Sequence, residues 1–170
     1  LLSASQKKED KAIIVGPTTD AQHIQPTYGG RLNNGKIPIP NGTLTSVTHF
    51  NGNIVLIPQS VYKVLGNLDY YFTHSKGDFD YGLRAQQQGI NIFQAEKYLG
   101  ECELHPTLDK WCNPSISFAK RWNMLHRPNG MPPKETFHFE YRHYGLATAI
   151  FHFITIHLRC LFPNIWIKYK

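Results

Sequence analysis

Two carboxylates, Asp78 and Asp80, stand at the head of Gly77-Asp78-Phe79-Asp80-Tyr81-Gly82-Leu83-Arg84-Ala85-Gln86-Gln87-Gln88-Gly89. Acidic residues at the start and a glycine just past the end predict a helix. The dipole of a helix favours a charged carboxylate in its first turn, and the backbone holds it in a fixed direction. That is what a general base needs in order to take a proton from an attacking hydroxyl. From spacing alone, an ordinary acidic residue in a first turn is the commoner explanation of Asp78. Asp80 lies two residues on, faces another way and precedes Arg84 by four residues, the favoured order for a helical ion pair. A calcium loop counted from Asp78 fails, because Leu83 stands where Gly is required and Gly89 where Glu is required.

Other residues invite weaker chemistry. Asn51-Gly52-Asn53 forms a turn signal before an apolar run, and such turns are common because Asn and Gly tolerate unusual backbone angles. Cys102, His105 and Cys112 have no paired fourth ligand, which argues against a structural zinc site. Lys120, Arg121 and Arg127 flank Trp122-Asn123-Met124-Leu125-His126, a cationic cluster able to bind phosphate oxygens or simply to solvate one helix.

The elements that would position these residues follow from the hydrophobic pattern. Leu1 to Asp10 reads as the end of a helix, and Ala12-Ile13-Ile14-Val15 as a buried strand closed by Gly16-Pro17. Thr18 to Pro40 reads as a long loop with at most an edge strand. A second buried strand is expected from about Asn53 to Ile57, then one or two helical turns from Ser60, the expected N-cap, ending at Gly66. The Asp78 helix follows, and Ile90 to Ala95 returns as a strand, giving an α/β signature. After Glu103 the pattern is helical and aromatic, punctuated by Pro106, Pro114, Pro128, Pro132 and Pro133. A nearly all-round apolar helix is expected from Tyr141 to Leu161.

With 170 residues, 41% hydrophobic and 18% charged, the chain is long enough for a real core and is not disordered. Three cysteines, without framework spacing, fit a reducing compartment, and no signal-peptide pattern is visible at either end. The formal charge of +6 is unevenly placed. Residues 1–103 carry nine basic and nine acidic side chains, whereas residues 104–170 carry nine basic and three acidic ones. An anionic partner is expected for the C-terminal part.

Phe50-Asn51-Gly52-Asn53-Ile54-Val55-Leu56-Ile57-Pro58, followed by Val61, Leu65-Gly66, Leu68-Asp69 and Phe72 and then by Asp78, Asp80, Arg84 and Gly89, resembles family 2 glycosyltransferases of the GT-A fold. Ile14-Val15-Gly16 and Tyr28-Gly29-Gly30-Arg31 look like segments preceding this in bacterial members that act on surface polysaccharides. The resemblance covers roughly residues 12–103 and rests on order and spacing. The Glu that commonly precedes the family's Asp is Gly77 here, and no Asp-x-Asp or nucleotide pocket of the N-terminal half is present. The expected fold is therefore a partial α/β GT-A domain over residues 1–103, with a basic, mainly helical extension over residues 104–170.

The resemblance implies transfer of a sugar from a nucleotide-diphosphate sugar to a saccharide or lipid-linked acceptor, with inversion. It aligns Asp78 with the catalytic base, and Asn51, Gly52, Asn53, Asp80 and Arg84 are expected to bind the acceptor or the donor sugar. A divalent Mn²⁺ or Mg²⁺ is expected in the intact enzyme, with His126 or His105 as a possible added ligand and Lys120, Arg121 and Arg127 near the diphosphate. None is required by these residues alone, which are expected to be inactive in isolation. The apolar stretch Gly145 to Leu161, flanked by Arg142, Arg159, Lys168 and Lys170 and followed by Trp166, is too short and polar for a comfortable span. It suits either the core or a membrane interface, so residues 141–170 are expected at the inner face of the cytoplasmic membrane. The rival readings are a basic nucleic-acid-binding module, which lacks any recognised nucleic-acid motif, and a non-catalytic assembly domain.

Overall fold

Ile13, Ile14 and Val15 are fully excluded from solvent and form β1 (Ile13–Val15), the strand from which the first half of the chain is built. The computed structural model describes residues 1–74, 76–104 and 110–167. His105, Pro106, Lys168 and Lys170, named above, lie outside the described residues. The chain divides into two compact units, Leu1–Asp69 with Asp78–His105, and Tyr70–Gly77 with Pro106–Lys170.

In the first unit, α1 (Leu2–Lys7) precedes β1, and β2 (Thr18–Thr19), β3 (Pro26–Tyr28) and β4 (Gly30–Arg31) follow it. Next come β5 (Thr45–Val47), β6 (His49–Phe50), β7 (Val55–Leu56), α2 (Gln59–Leu65), α3 (Gly77–Gln87), β8 (Ile92–Gln94) and β9 (Gly100–Glu101). The main sheet is mixed, in the order β5-β8-β1-β7. β1 runs parallel to β8, with Ile13 opposite Ile92, and antiparallel to β7, with Val15 opposite Val55. Two small separate sheets, β3-β2-β9 and β4-β6, complete the strands.

The period-two alternation of β1 decides what each face buries. Ile13 and Val15 pack with Val47, Phe50, Val61, Tyr81, Ala85 and Ile92, so this face carries α2 and α3. Ile14 packs with Ala4 and Ala12, so the other face carries α1. A sheet with helices on both faces is mixed α/β.

Several local expectations change. The strand expected to be buried over Asn53–Ile57 is only Val55–Leu56, lies at the sheet edge and is half-buried; Pro58, with no amide hydrogen, stops the ladder from running further. Pro58, not Ser60, occupies the N-cap of α2; the Ser60 hydroxyl instead donates to the carbonyl of Asp10. The segment expected as a long loop contains β2, β3 and β4.

Helix α3 begins and ends as its sequence suggests, and the expected pair is present: Arg84 Nε donates to Asp80 Oδ2 at 2.8 Å. Asp80, however, is wholly buried. Arg84 also donates to the carbonyls of Leu65 at 3.0 Å and Asn67 at 3.1 Å, and the Tyr81 hydroxyl donates to the carbonyl of Gly66 at 3.1 Å. The end of α2 is thereby fastened to α3.

The second unit contains a 3₁₀ turn (Lys110–Cys112), α4 (Phe118–Leu125), α5 (Pro133–Tyr144), α6 (Leu146–Leu161) and α7 (Pro163–Ile167). The single helix expected over Tyr141–Leu161 is broken at Gly145, whose φ of +88° favours glycine. α5 and α6 fold into a hairpin, with the rings of Phe137 and Phe153 5.9 Å apart and Glu140 Oε1 3.0 Å from His152 Nδ1. Trp111, Leu125, Ile156 and Cys160 form the core of this unit. Thr73 donates to Glu135 through its amide at 3.1 Å and its hydroxyl at 2.7 Å. Among the described residues, no helix is long and apolar enough to cross a membrane.

Because Asp80 is sealed from water, replacing it should cost far more than an exposed helical pair. Asp80→Ala, which leaves the Arg84 guanidinium without its carboxylate, is expected to lower unfolding free energy by about 3 kcal/mol, measured by urea denaturation. A loss below about 0.5 kcal/mol, the scale of a surface pair, would show that burial adds nothing. Burial also raises the Cys160 thiol above its ordinary value, against the opposing effect of Arg121. Limited iodoacetamide treatment at neutral pH is expected to alkylate the half-buried Cys102 before Cys160, read by peptide mass spectrometry.

Candidate active site

The first turn of α3 meets the turn after β6. Gly52 sits at that meeting because there is room for little else: a Cβ there would lie 3.3 Å from the Cβ of Asp78. Gly82, one turn along α3, permits a similar approach to β6, since a Cβ would come within 3.0 Å of His49 Cα. The His49 and Phe79 rings meet edge to face at 5.0 Å and complete the contact.

This packing places Asp78 where each of its oxygens has a backbone partner. Oδ2 accepts from the Gly52 amide at 2.8 Å, and Oδ1 from the Phe79 amide at 2.8 Å. The carboxyl stays half-exposed. Both bonds leave lone pairs on a carboxylate, which has about four acceptor positions.

Arg31, at the end of β4, joins the cluster. Its Nε donates to Asn51 Oδ1 at 3.0 Å, its Nη1 donates to the carbonyl of Gly35 at 2.8 Å, and its guanidinium lies 5.7 Å from the Phe79 ring centre. Burial pulls the Arg31 guanidinium below its ordinary value, opposed by the Asp78 carboxylate and by Tyr28. A guanidinium remains charged regardless. The Asn51 amide donates to the carbonyl of Gly29 at 2.9 Å, and the Thr48 hydroxyl to that of Arg31 at 2.9 Å, so β4 and β6 are held together on both sides of the site. Arg31 also lines an open groove of about 390 Å³, together with Thr27, Lys36, Ile37 and Ile39.

Asn51, Gly52 and Asp78 thus converge. Asn53 turns away, its amide donating weakly to Cys102 Sγ at 3.8 Å. Asp80 and Arg84 support the site from within the fold rather than facing it.

The remaining sequence-selected residues lie on α4 and just after it. Lys120 and Arg127 are exposed. Arg121 is buried, and it donates through Nε to the carbonyl of Cys160 at 3.0 Å and through Nη1 to that of Ile116. That corrects its placement among surface cations: its guanidinium satisfies core carbonyls. His126 Nδ1 donates to the Trp122 carbonyl at 2.8 Å. Among the described residues, no three His, Cys, Asp or Glu side chains converge to hold a metal ion.

Two residues of the site were not singled out as such by their sequence. Arg31 is the one charge at the end of a glycine-rich segment, a weak signal. Gln94 is the polar residue in an apolar strand; it is fully buried, accepts from the Gly30 amide at 3.1 Å and donates to the carbonyl of Pro38 at 2.6 Å. It holds the loop that carries Arg31. Comparison of the chain with protein-family models, with curated proteins and with solved structures gives no match.

The two asparagines make opposite predictions. Asn51→Ala removes the acceptor of Arg31 Nε and is expected to cost about 1 kcal/mol. Asn53→Ala loses only a long contact to sulfur and should stay within about 0.5 kcal/mol of the parent. Urea denaturation of both variants checks the order; the reverse order would contradict the described bonding.

Proposed function

We propose that these residues are the acceptor-side, base-bearing part of an inverting glycosyltransferase of the GT-A type. The observation that carries the reading is Asp78: a half-exposed carboxylate at the head of a helix, aimed by two backbone amides and accompanied by the Arg31 cation. The order of motifs around it, from Phe50 to Gly89, gives the reading its chemical class.

In this reading the acceptor hydroxyl, from a saccharide or a lipid-linked saccharide, is brought to Asp78. The carboxylate takes the hydroxyl proton as the acceptor oxygen bonds to the anomeric carbon of a nucleotide-diphosphate sugar. The bond from that carbon to the diphosphate breaks on the opposite side, so configuration inverts and the nucleoside diphosphate leaves. The Asn51–Gly52 turn and the groove beside Arg31 supply hydrogen-bonding groups for acceptor or sugar hydroxyls. Nucleotide binding, and the divalent metal expected with it, belong to a donor-binding half outside these residues. Lys120, Arg127 and His126 are secondary candidates for contacts to that half's ligand. The nucleotide donor and the three free cysteines suit the cytoplasmic side of a membrane.

The test uses the protein together with its donor-binding half. Asp78→Asn keeps the size of the side chain but removes the proton acceptor, and is expected to lower kcat by about 10²–10⁴ with donor affinity nearly unchanged. Retention of more than about a tenth of the parent rate would remove Asp78 as the base.

A further inference from the structure

The helix α6 is apolar on two sides but buries only one. Ala149, Ile156 and Cys160 face the core. Leu146, Ile150, Ile154 and Leu158 follow at four-residue spacing along another face and remain 45–53% exposed. Phe151 beside them, and Phe162 and Ile165 beyond the helix end, are 55–62% exposed. A contiguous apolar surface of this kind marks an interaction site rather than scattered exposure.

The charge of the unit that carries this face narrows the partner. Among the described residues of this unit the acidic side chains are Glu135 and Glu140; both are buried, engaged by Thr73 and His152. Lys110, Lys120, Arg127 and Lys134 are exposed, so the formal charge at the surface of this unit is positive wherever it is described. A second copy would oppose like charges. Nucleic acid would use the cations but has no use for a row of Leu and Ile side chains. An aliphatic face on a unit whose described exposed charges are cationic matches an anionic bilayer, which offers acyl chains beneath a negative headgroup layer.

We propose that the exposed face of α6, continued by Phe162, Ile165 and Trp166, docks this protein on an anionic lipid surface. The helix lies in the plane of the interface: its 16 residues reach only about 24 Å, short of the roughly 30 Å hydrocarbon core. Arg159 stacks on Trp166, its guanidinium 4.1 Å from the ring centre, a cation–aromatic pair suited to the headgroup boundary. The inference stands on the second unit alone and does not depend on the transferase reading.

The test is flotation of the 170-residue chain with phosphatidylcholine vesicles, with and without about 30% phosphatidylglycerol, at about 0.1 and 0.5 M salt. The chain is expected to float at least about tenfold better with the anionic vesicles, and to lose much of that preference at the higher salt. The double variant Ile154→Glu with Leu158→Glu is expected to lose about tenfold or more of the binding, and Ile154→Ser with Leu158→Ser severalfold, with circular dichroism as the folding control. A parent chain that stays at the bottom of the gradient overturns the proposal whatever the variants do. So does a folded variant that floats like the parent. A parent chain that ignores vesicles and is a dimer broken by Ile154→Ser assigns the face to a second copy instead.

Discussion

The carboxylate of Asp80, shut away from water and bonded to Arg84, fixes the direction of α3, and much of the first unit depends on that direction. Arg84 extends the constraint by donating to the carbonyls of Leu65 and Asn67, and so ties the helix to the end of α2. A buried charge pair of this sort is a costly way to gain stability, since desolvation offsets much of the attraction. What it gives in return is a single orientation. Rotating α3 would expose Tyr81 and Ala85, break the Arg84 bonds, and move Asp78 away from Gly52.

That orientation separates the tasks of two acids that look alike in sequence. Asp80 faces inward and holds the helix. Asp78 faces the turn after β6 and keeps open acceptor positions toward solvent. Arg31 arrives from a different strand and is held by Asn51, Gly35 and, through its loop, Gln94. Three segments far apart in sequence therefore meet at one carboxylate, while the loads that position them fall on residues behind it.

Local chemistry is what the sequence made legible. Apolar Ala12–Val15, the acid-rich start of α3 and the (i, i+4) spacing of Asp80 and Arg84 each correspond to a feature of the fold. Features set by distant partners were not legible. The burial of Asp80 depends on how α2 and the sheet close over it, and nothing within Gly77–Gly89 reports that. The role of Arg31 depends on pairing of β4 with β6, with Gly30 opposite Phe50, a register no local pattern encodes. Arg121 stands next to Lys120 in sequence, yet the carbonyls of Ile116 and Cys160 draw it inward. The break at Gly145 is the opposite case: a glycine in an apolar helical run was visible, and its positive φ turns one expected helix into a hairpin. That turn places the apolar residues after it on two faces rather than around one long cylinder.

The account rests on α3 presenting the Asp78 carboxylate to the turn at Gly52. Amide NMR of the 170-residue chain tests that contact directly, without substrate. The Gly52 amide proton is expected to shift with pH along the titration of a single carboxylate, and that shift should vanish in Asp78→Asn while the amides of β1 and β8 stay unchanged. A Gly52 amide that titrates identically in the parent and in Asp78→Asn, or in neither, would show that Asp78 is not held there and would contradict the site.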